Sequence, residues 1–98
     1  MVKHMIIWKL KDEIANKEQR AKEIKIALEG LVGKIDGLIE MKILTEGLDS
    51  SSGDIMMDST FASNDALTSY QNSPLHQDVA NGLVRPSVQA RLSFDYEI

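Results

Sequence analysis

Apolar and polar residues alternate along four stretches of this chain, and two helical patterns separate them. From 2 to 10, Val2, His4, Ile6, Trp8 and Leu10 point one way and Lys3, Met5, Ile7 and Lys9 the other. This is the period of two that a strand requires, in a run rich in β-branched and aromatic residues. Asn16, with Gln19 three residues on, opens a helix over 17–32 whose apolar stripe is Ala21, Ile24, Leu28, Leu31 and Ile35, widened by Ala27 and Val32. Glu18–Lys22 and Lys25–Glu29 are i, i+4 pairs expected on its wet side. Gly33 and Gly37 bracket the turn that ends it.

The second strand, 38–44, sets Ile39, Met41 and Ile43 against Glu40, Lys42 and Leu44, and the polar run TEGLDSSSG leads from it to the third. There Ile55, Met57, Ser59 and Phe61 share one face and Met56, Asp58 and Thr60 the other. Ser63 is placed to cap a helix from Asn64 that puts Leu67 and Tyr70 on one side and stops near Asn72, ahead of a proline. Ser73 and Pro74 open a second short helix with His76 in its first turn. Leu75, Val79 and Leu83 give that helix its apolar edge, and Gly82 is placed to end it. In the last strand, 87–97, Val88, Ala90, Leu92, Phe94 and Tyr96 alternate with Gln89, Arg91, Ser93 and Asp95.

The order β-α-β-β-α-β predicts an α+β, ferredoxin-like fold: a four-stranded antiparallel sheet with helices on one face, in one domain spanning 1–98. The other face of that sheet also carries apolar residues, Met5 and Ile7 with Leu92, Phe94 and Tyr96. A single small domain does not expose such a patch to water, so pairing of two identical chains through their sheets, as a dimeric α/β barrel, is expected.

Composition narrows the partners. A net charge of −4 argues against nucleic acid, which demands clustered basic residues. No stretch approaches the ~20 apolar residues of a membrane span, and the N-terminal run makes a poor signal peptide, so a cytoplasmic protein is expected. The absence of cysteine removes disulfides, thiolate metal sites and cysteine nucleophiles. Two histidines far apart in sequence, with no carboxylates at ligand spacing, do not suggest a metal site, and no cofactor is expected. The serines at 50–52 lack a nucleophile-elbow context and read as loop.

The remaining chemistry is Tyr70 and His76. At the start of a helix the dipole disfavours an imidazolium at His76, and a neutral imidazole is what a general base needs. His4 stands on an otherwise apolar face, where a hydrogen-bonded core histidine is the simpler expectation.

VKHMIIWKLKDE, the IDGL turn at 35–38, DSTFASNDALTSYQNSPLHQ and the terminal FDYE together resemble the stress-responsive dimeric α/β-barrel (Dabb) family over nearly the whole chain. The most specific part is the series Thr60, Phe61, Ser63, Tyr70, Pro74 and His76. Ser73 replaces the first histidine of the family's common His-Pro-x-His, and Asp36 replaces the proline of its usual Ile-Pro-Gly. The resemblance implies a barrel-forming homodimer. By likeness to polyketide-cyclase members that catalyse intramolecular aldol condensation, it also implies a site between sheet and helices. His76 would there abstract an acidic C–H proton and Tyr70 would donate a hydrogen bond to the developing oxyanion. His4 would line the pocket or orient substrate, Ile6 and Trp8 would form its floor, and Met57, Ile24 and Leu28 its apolar walls for a small hydrophobic ligand.

The same apolar residues could instead fill the space, leaving His76 hydrogen-bonded to Tyr70 or to a backbone carbonyl. Three functions are therefore open. One is an aldol- or lyase-like enzyme, and another a non-catalytic homodimer for stress protection or ligand carriage. The third is a monooxygenase or haem-degrading barrel, which Trp8 and His76 suggest without a defining motif.

Overall fold

The computed structural model, which describes Met1–Ile98, holds four antiparallel strands in the order β2-β3-β1-β4. They are β1 (Val2–Leu10), β2 (Leu38–Leu44), β3 (Ile55–Phe61) and β4 (Val88–Glu97). Helices α1 (Lys17–Glu29), α2 (Asn64–Asn72) and α3 (Pro74–Val79) follow the predicted order. The apolar face of β1 is buried as its alternation requires, and Ile55, Met57, Ser59 and Phe61 of β3 lie beside it. With Ala21, Ile24 and Leu28 of α1 and Leu67 of α2 they form the core.

The caps follow the sequence at two of three positions. Asn16 Oδ1 accepts the Gln19 N–H at 3.0 Å and Ser63 Oγ accepts the Ala66 N–H at 3.1 Å. Ser73 begins α3 but its hydroxyl caps nothing; its backbone N–H donates to the Tyr70 carbonyl at 3.1 Å instead.

Four expectations are corrected. In β2 the register slips between Leu38 and Glu40, a bulge that turns Ile39 outward (49% exposed) and lets Leu38 join Met41 and Ile43 inside. Helix α1 stops at Glu29, so Val32 lies outside it and exposed. Lys25 and Glu29 are not a purely solvated pair. Lys25 Nζ donates to the Ile43 carbonyl at 2.8 Å and Glu29 Oε2 accepts the Ile43 N–H at 2.9 Å, which closes the outer edge of β2 at that residue. Burial pushes the Glu29 carboxyl up, but the Ile43 N–H and the Lys25 ammonium outweigh it and hold it below the usual value.

The last correction concerns the helix before β4. Gly82 does not end it. The chain continues through a π-turn (Ala80–Val84), in which the Arg85 N–H reaches back to the Ala80 carbonyl, and a final turn (Arg85–Ser87). Pro86 supplies a reason: it has no N–H for the carbonyl four residues back and its ring crowds that group, so regular α-geometry cannot run through it. Along this run His76, Ala80 and Val84 line the inner cavity and Val79 and Leu83 pack against the core as expected, while Leu75 is 44% exposed. Ser87 then pins the junction: Arg20 Nη1 donates to its hydroxyl at 2.8 Å, and that hydroxyl donates to the Leu83 carbonyl at 2.6 Å.

Candidate active site

The broken helical connection leaves a hollow over the β1 side of the sheet. It is a cavity of about 490 Å3, open to solvent and within the usual range of small-molecule sites. Alternation on β1 makes its floor from His4, Ile6 and Trp8, to which β3 adds Met57 and α1 adds Leu28. Tyr70 enters from the last turn of α2, His76 from α3, and Ala80 and Val84 from the π-turn. Ile24 does not line it; that side chain is fully buried in the core.

Tyr70 and His76 are brought together by stacking. Their ring centroids are 4.2 Å apart at an interplanar angle of 38°. Phe61 lies 4.9 Å from Tyr70 on one side and 6.2 Å from His4 on the other, so an aromatic series joins the two histidines. Neither the Tyr70 hydroxyl nor His76 Nδ1 has a hydrogen-bond partner within the protein, although both atoms are buried. The alternative of a structural Tyr70–His76 hydrogen bond is thus not what the side chains make. An unpartnered buried polar group costs about 1–3 kcal/mol, so both atoms are free to take a partner from the cavity.

The electrostatics suit proton transfer. Burial raises the Tyr70 phenol well above its ordinary pKa, so it stays a hydrogen-bond donor at neutral pH. Burial, and then the charges of Arg85, His4 and Arg91, hold the His76 imidazole below its ordinary value, so it stays a neutral acceptor. His4 is 3% exposed and its Nδ1 pairs with an Asp95 carboxylate oxygen, leaving Nε2 as the nitrogen free for a ligand. Ser59 Oγ donates to the His4 carbonyl at 2.6 Å, so the strand is anchored where the imidazole leaves it.

The polar rim was not foreseen. Gln71 and Asn72 at the end of α2, Gln77 on α3, Arg85 in the final helical turn and Arg91 on β4 all border the cavity. Val88 completes the lining. Arg91 and Asp95 do fall on the polar phase of the last strand, but only the strand register brings that phase over Trp8 and His4. No group of three or more His, Asp or Glu side chains comes together as a metal site would need. A larger groove, of about 1060 Å3, runs over the opposite face of the sheet between Ile7, Leu92 and the 45–54 loop, and holds neither Tyr70 nor His76.

Several solved structures share this shape, some of them described as of unknown function. A dimeric ferredoxin-like protein of unknown function from Bacteroides fragilis is 24% identical and superposes with a TM-score of 0.88, over 99% of this chain and 95% of that one. A Dabb family protein from Mesorhizobium loti is 21% identical with a TM-score of 0.79, over 99% and 95%. A hydroxynitrile lyase from Passiflora edulis is 19% identical with a TM-score of 0.81, over 99% and 92%. At these identities the likeness speaks to the fold. The search of curated proteins found no match. The family model described as the stress-responsive A/B barrel domain matches residues 2–98, nearly the whole length, and this chain belongs to that Dabb family.

Proposed function

We propose that the protein is an enzyme of carbon-acid chemistry, making or breaking a carbon–carbon bond by proton transfer in the aldol or lyase manner. One observation carries the reading. Two aromatic side chains with buried, unpartnered polar atoms border the same solvent-open cavity. In the condensing direction, neutral His76 takes a proton from an acidic C–H, and the electron pair of that bond delocalises onto the adjacent carbonyl oxygen as an enolate. Tyr70 donates a hydrogen bond to that oxygen. The enolate carbon attacks a second carbonyl, and the alkoxide so formed recovers the proton from the His76 imidazolium. The cleaving direction is the same sequence reversed, with His76 taking a hydroxyl proton first. Ile6, Trp8, Met57 and Val84 offer an apolar bed for the body of the substrate. A solved relative named as a hydroxynitrile lyase adds to this reading, because cyanohydrin cleavage is a proton transfer coupled to carbon–carbon scission.

The test needs no knowledge of the physiological substrate. Wild-type protein is incubated in deuterated water with a set of β-diketones, β-hydroxy ketones and aryl cyanohydrins, and α-deuteration and cleavage are followed by NMR. At least one compound should react in a protein-dependent way, with His76→Ala slowing it at least 100-fold. Equal rates in wild type and His76→Ala across the set would reject the reading in favour of a binding protein.

We also infer a homodimer formed through the uncovered sheet face. Ile7, Leu92, Phe94 and Tyr96 are exposed side by side on it, and solved relatives from Bacteroides fragilis and Thermobifida fusca are dimeric.

A further inference from the structure

Taken together, the charged groups around the cavity have one sign. None of its 15 lining residues is acidic, although the chain as a whole carries a net charge of −4. His4, His76, Arg85 and Arg91 all face it. The two guanidinium groups lack the carboxylate partners that arginines on an acidic surface usually find. Arg91 makes no ion pair or hydrogen bond, and Arg85 is held only by the neutral Asn81 side chain, to whose Oδ1 it donates. Asp95 shares the face of β4 with Arg91 but does not neutralise it. It lies four residues on, about 13 Å at strand rise, and is taken up by His4.

The arginines are positioned by unrelated parts of the fold. Arg85 follows directly from the π-turn, whose extra residue sets the angle at which the final helical turn arrives. Arg91 stands opposite Trp8 in the β1–β4 ladder, at the edge of the floor. Two planar forks bordering one cavity that has no acidic lining can hold a flat, bidentate anion. Asn72, Gln71 and Gln77 on the rim add neutral polar groups and no competing negative charge.

Building on the carbon-acid reading above, we propose that the substrate is a small organic carboxylate, its COO− group held at the mouth by Arg85 and Arg91. Its apolar body lies on Ile6, Trp8 and Met57, and its reacting carbon faces Tyr70 and His76. The chemistry gains from this placement. A carboxylate near the reacting carbon would repel the developing enolate, and pairing it with two guanidinium groups removes that repulsion. The substrate class is then a β-oxo or β-hydroxy carboxylate, or an aryl-substituted acetate, rather than a neutral ketone.

Binding tests this without turnover, using 4-phenylbutyrate and its neutral isostere 4-phenylbutyramide as probes in calorimetric or NMR titration of the intact protein. The carboxylate should bind wild type at least tenfold more tightly than the amide, with the ratio shrinking as salt is raised from about 20 to 500 mM. Arg85→Gln with Arg91→Gln should reduce the ratio to about one while leaving the amide affinity within twofold. The corresponding double lysine variant, which keeps the charge, should retain part of the preference. The preference is a ratio of two affinities measured without turnover, so it reports on the arginines separately from proton transfer. Equal affinities in wild type, or a preference that survives the double glutamine variant, overturn the proposal and leave the carbon-acid reading standing with a neutral substrate.

Discussion

Tyr70 holds a hydroxyl that the fold does not require. Its ring packs on Phe61 and His76, contacts that phenylalanine would reproduce, while its oxygen is buried and unpartnered. Tyr70→Phe is therefore expected to be as stable as wild type or up to about 2 kcal/mol more stable in urea unfolding, because an unsatisfied polar group leaves the interior. Proton transfer should meanwhile fall by 100- to 1000-fold, the usual effect of removing one oxyanion donor. Loss of stability and activity together would mean that the hydroxyl is hydrogen-bonded in solution. His76 adds a pH signature. Its folded pKa is depressed below 6.5, so between the two values the unfolded chain binds the proton first. Its contribution to stability is thus complete above about pH 6.5 and is lost as pH falls through the folded value. Subtracting unfolding free energies of His76→Ala from wild type between pH 7.5 and 5 should show that decline; a flat difference would place the imidazole in water. Both residues were legible in sequence, from helical spacing and the Ser-Pro-x-His start. The Asp95 partner of His4 was not, because a contact across 91 residues depends on strand register and leaves no local pattern.

At the scale of elements, alternation and capping residues were enough to order the strands and helices, and what they missed came from local departures from regular geometry. The β2 bulge exchanges Ile39 for Leu38, and the π-turn carries the second helical run on past Gly82, where an end was expected. Neither departure has a signature that apolar periodicity can carry. The turn between α1 and β2 is the opposite case, since two glycines marked it and both have positive φ, +87° at Gly33 and +84° at Gly37. They differ in surroundings. A Cβ on Gly33 meets nothing within 4 Å, whereas one on Gly37 would lie 2.5 Å from the Ala66 Cβ in the first turn of α2. Gly33→Ala should cost about 1–2 kcal/mol, the left-handed backbone penalty alone. Gly37→Ala adds overpacking of about 1–3 kcal/mol and pushes on the helix that carries Tyr70, so it should lower activity as well. Thermal and urea unfolding of the two variants side by side would decide; equal losses would mean that α2 yields freely at Ala66.

For the whole molecule, the cavity and the uncovered apolar surface occupy opposite faces of one sheet, and β1 serves both. His4, Ile6 and Trp8 face the cavity while Met5 and Ile7 face away, beside Phe94 and Leu92 in the ladder. Leu92 is 74% exposed and Phe94 69%, with the Phe94 and Tyr96 rings 5.9 Å apart, a patch too apolar and too continuous for the surface of a lone chain. The two sheet edges differ as well. At Ile43, β2 is closed by Lys25 and Glu29, whereas β4 is flanked on one side only by β1. Face-to-face pairing around a two-fold axis covers the patch on both copies at once, and a stable dimer needs about 800 Å2 from each. Phe94→Asp would put a charge at the centre of that contact, where an unpaired carboxylate loses its hydration. Analytical ultracentrifugation at tens of micromolar should find wild type dimeric and Phe94→Asp monomeric, with far-UV circular dichroism unchanged because the side chain contributes nothing to the helix-side core. Since Phe94 and the cavity share β1 and β4, the monomer should also bind ligand more weakly than the dimer, by loss of the rigidity that the second sheet lends to the floor. A monomeric wild type would leave the patch for another partner, and a Phe94→Asp dimer would move the interface off this face altogether.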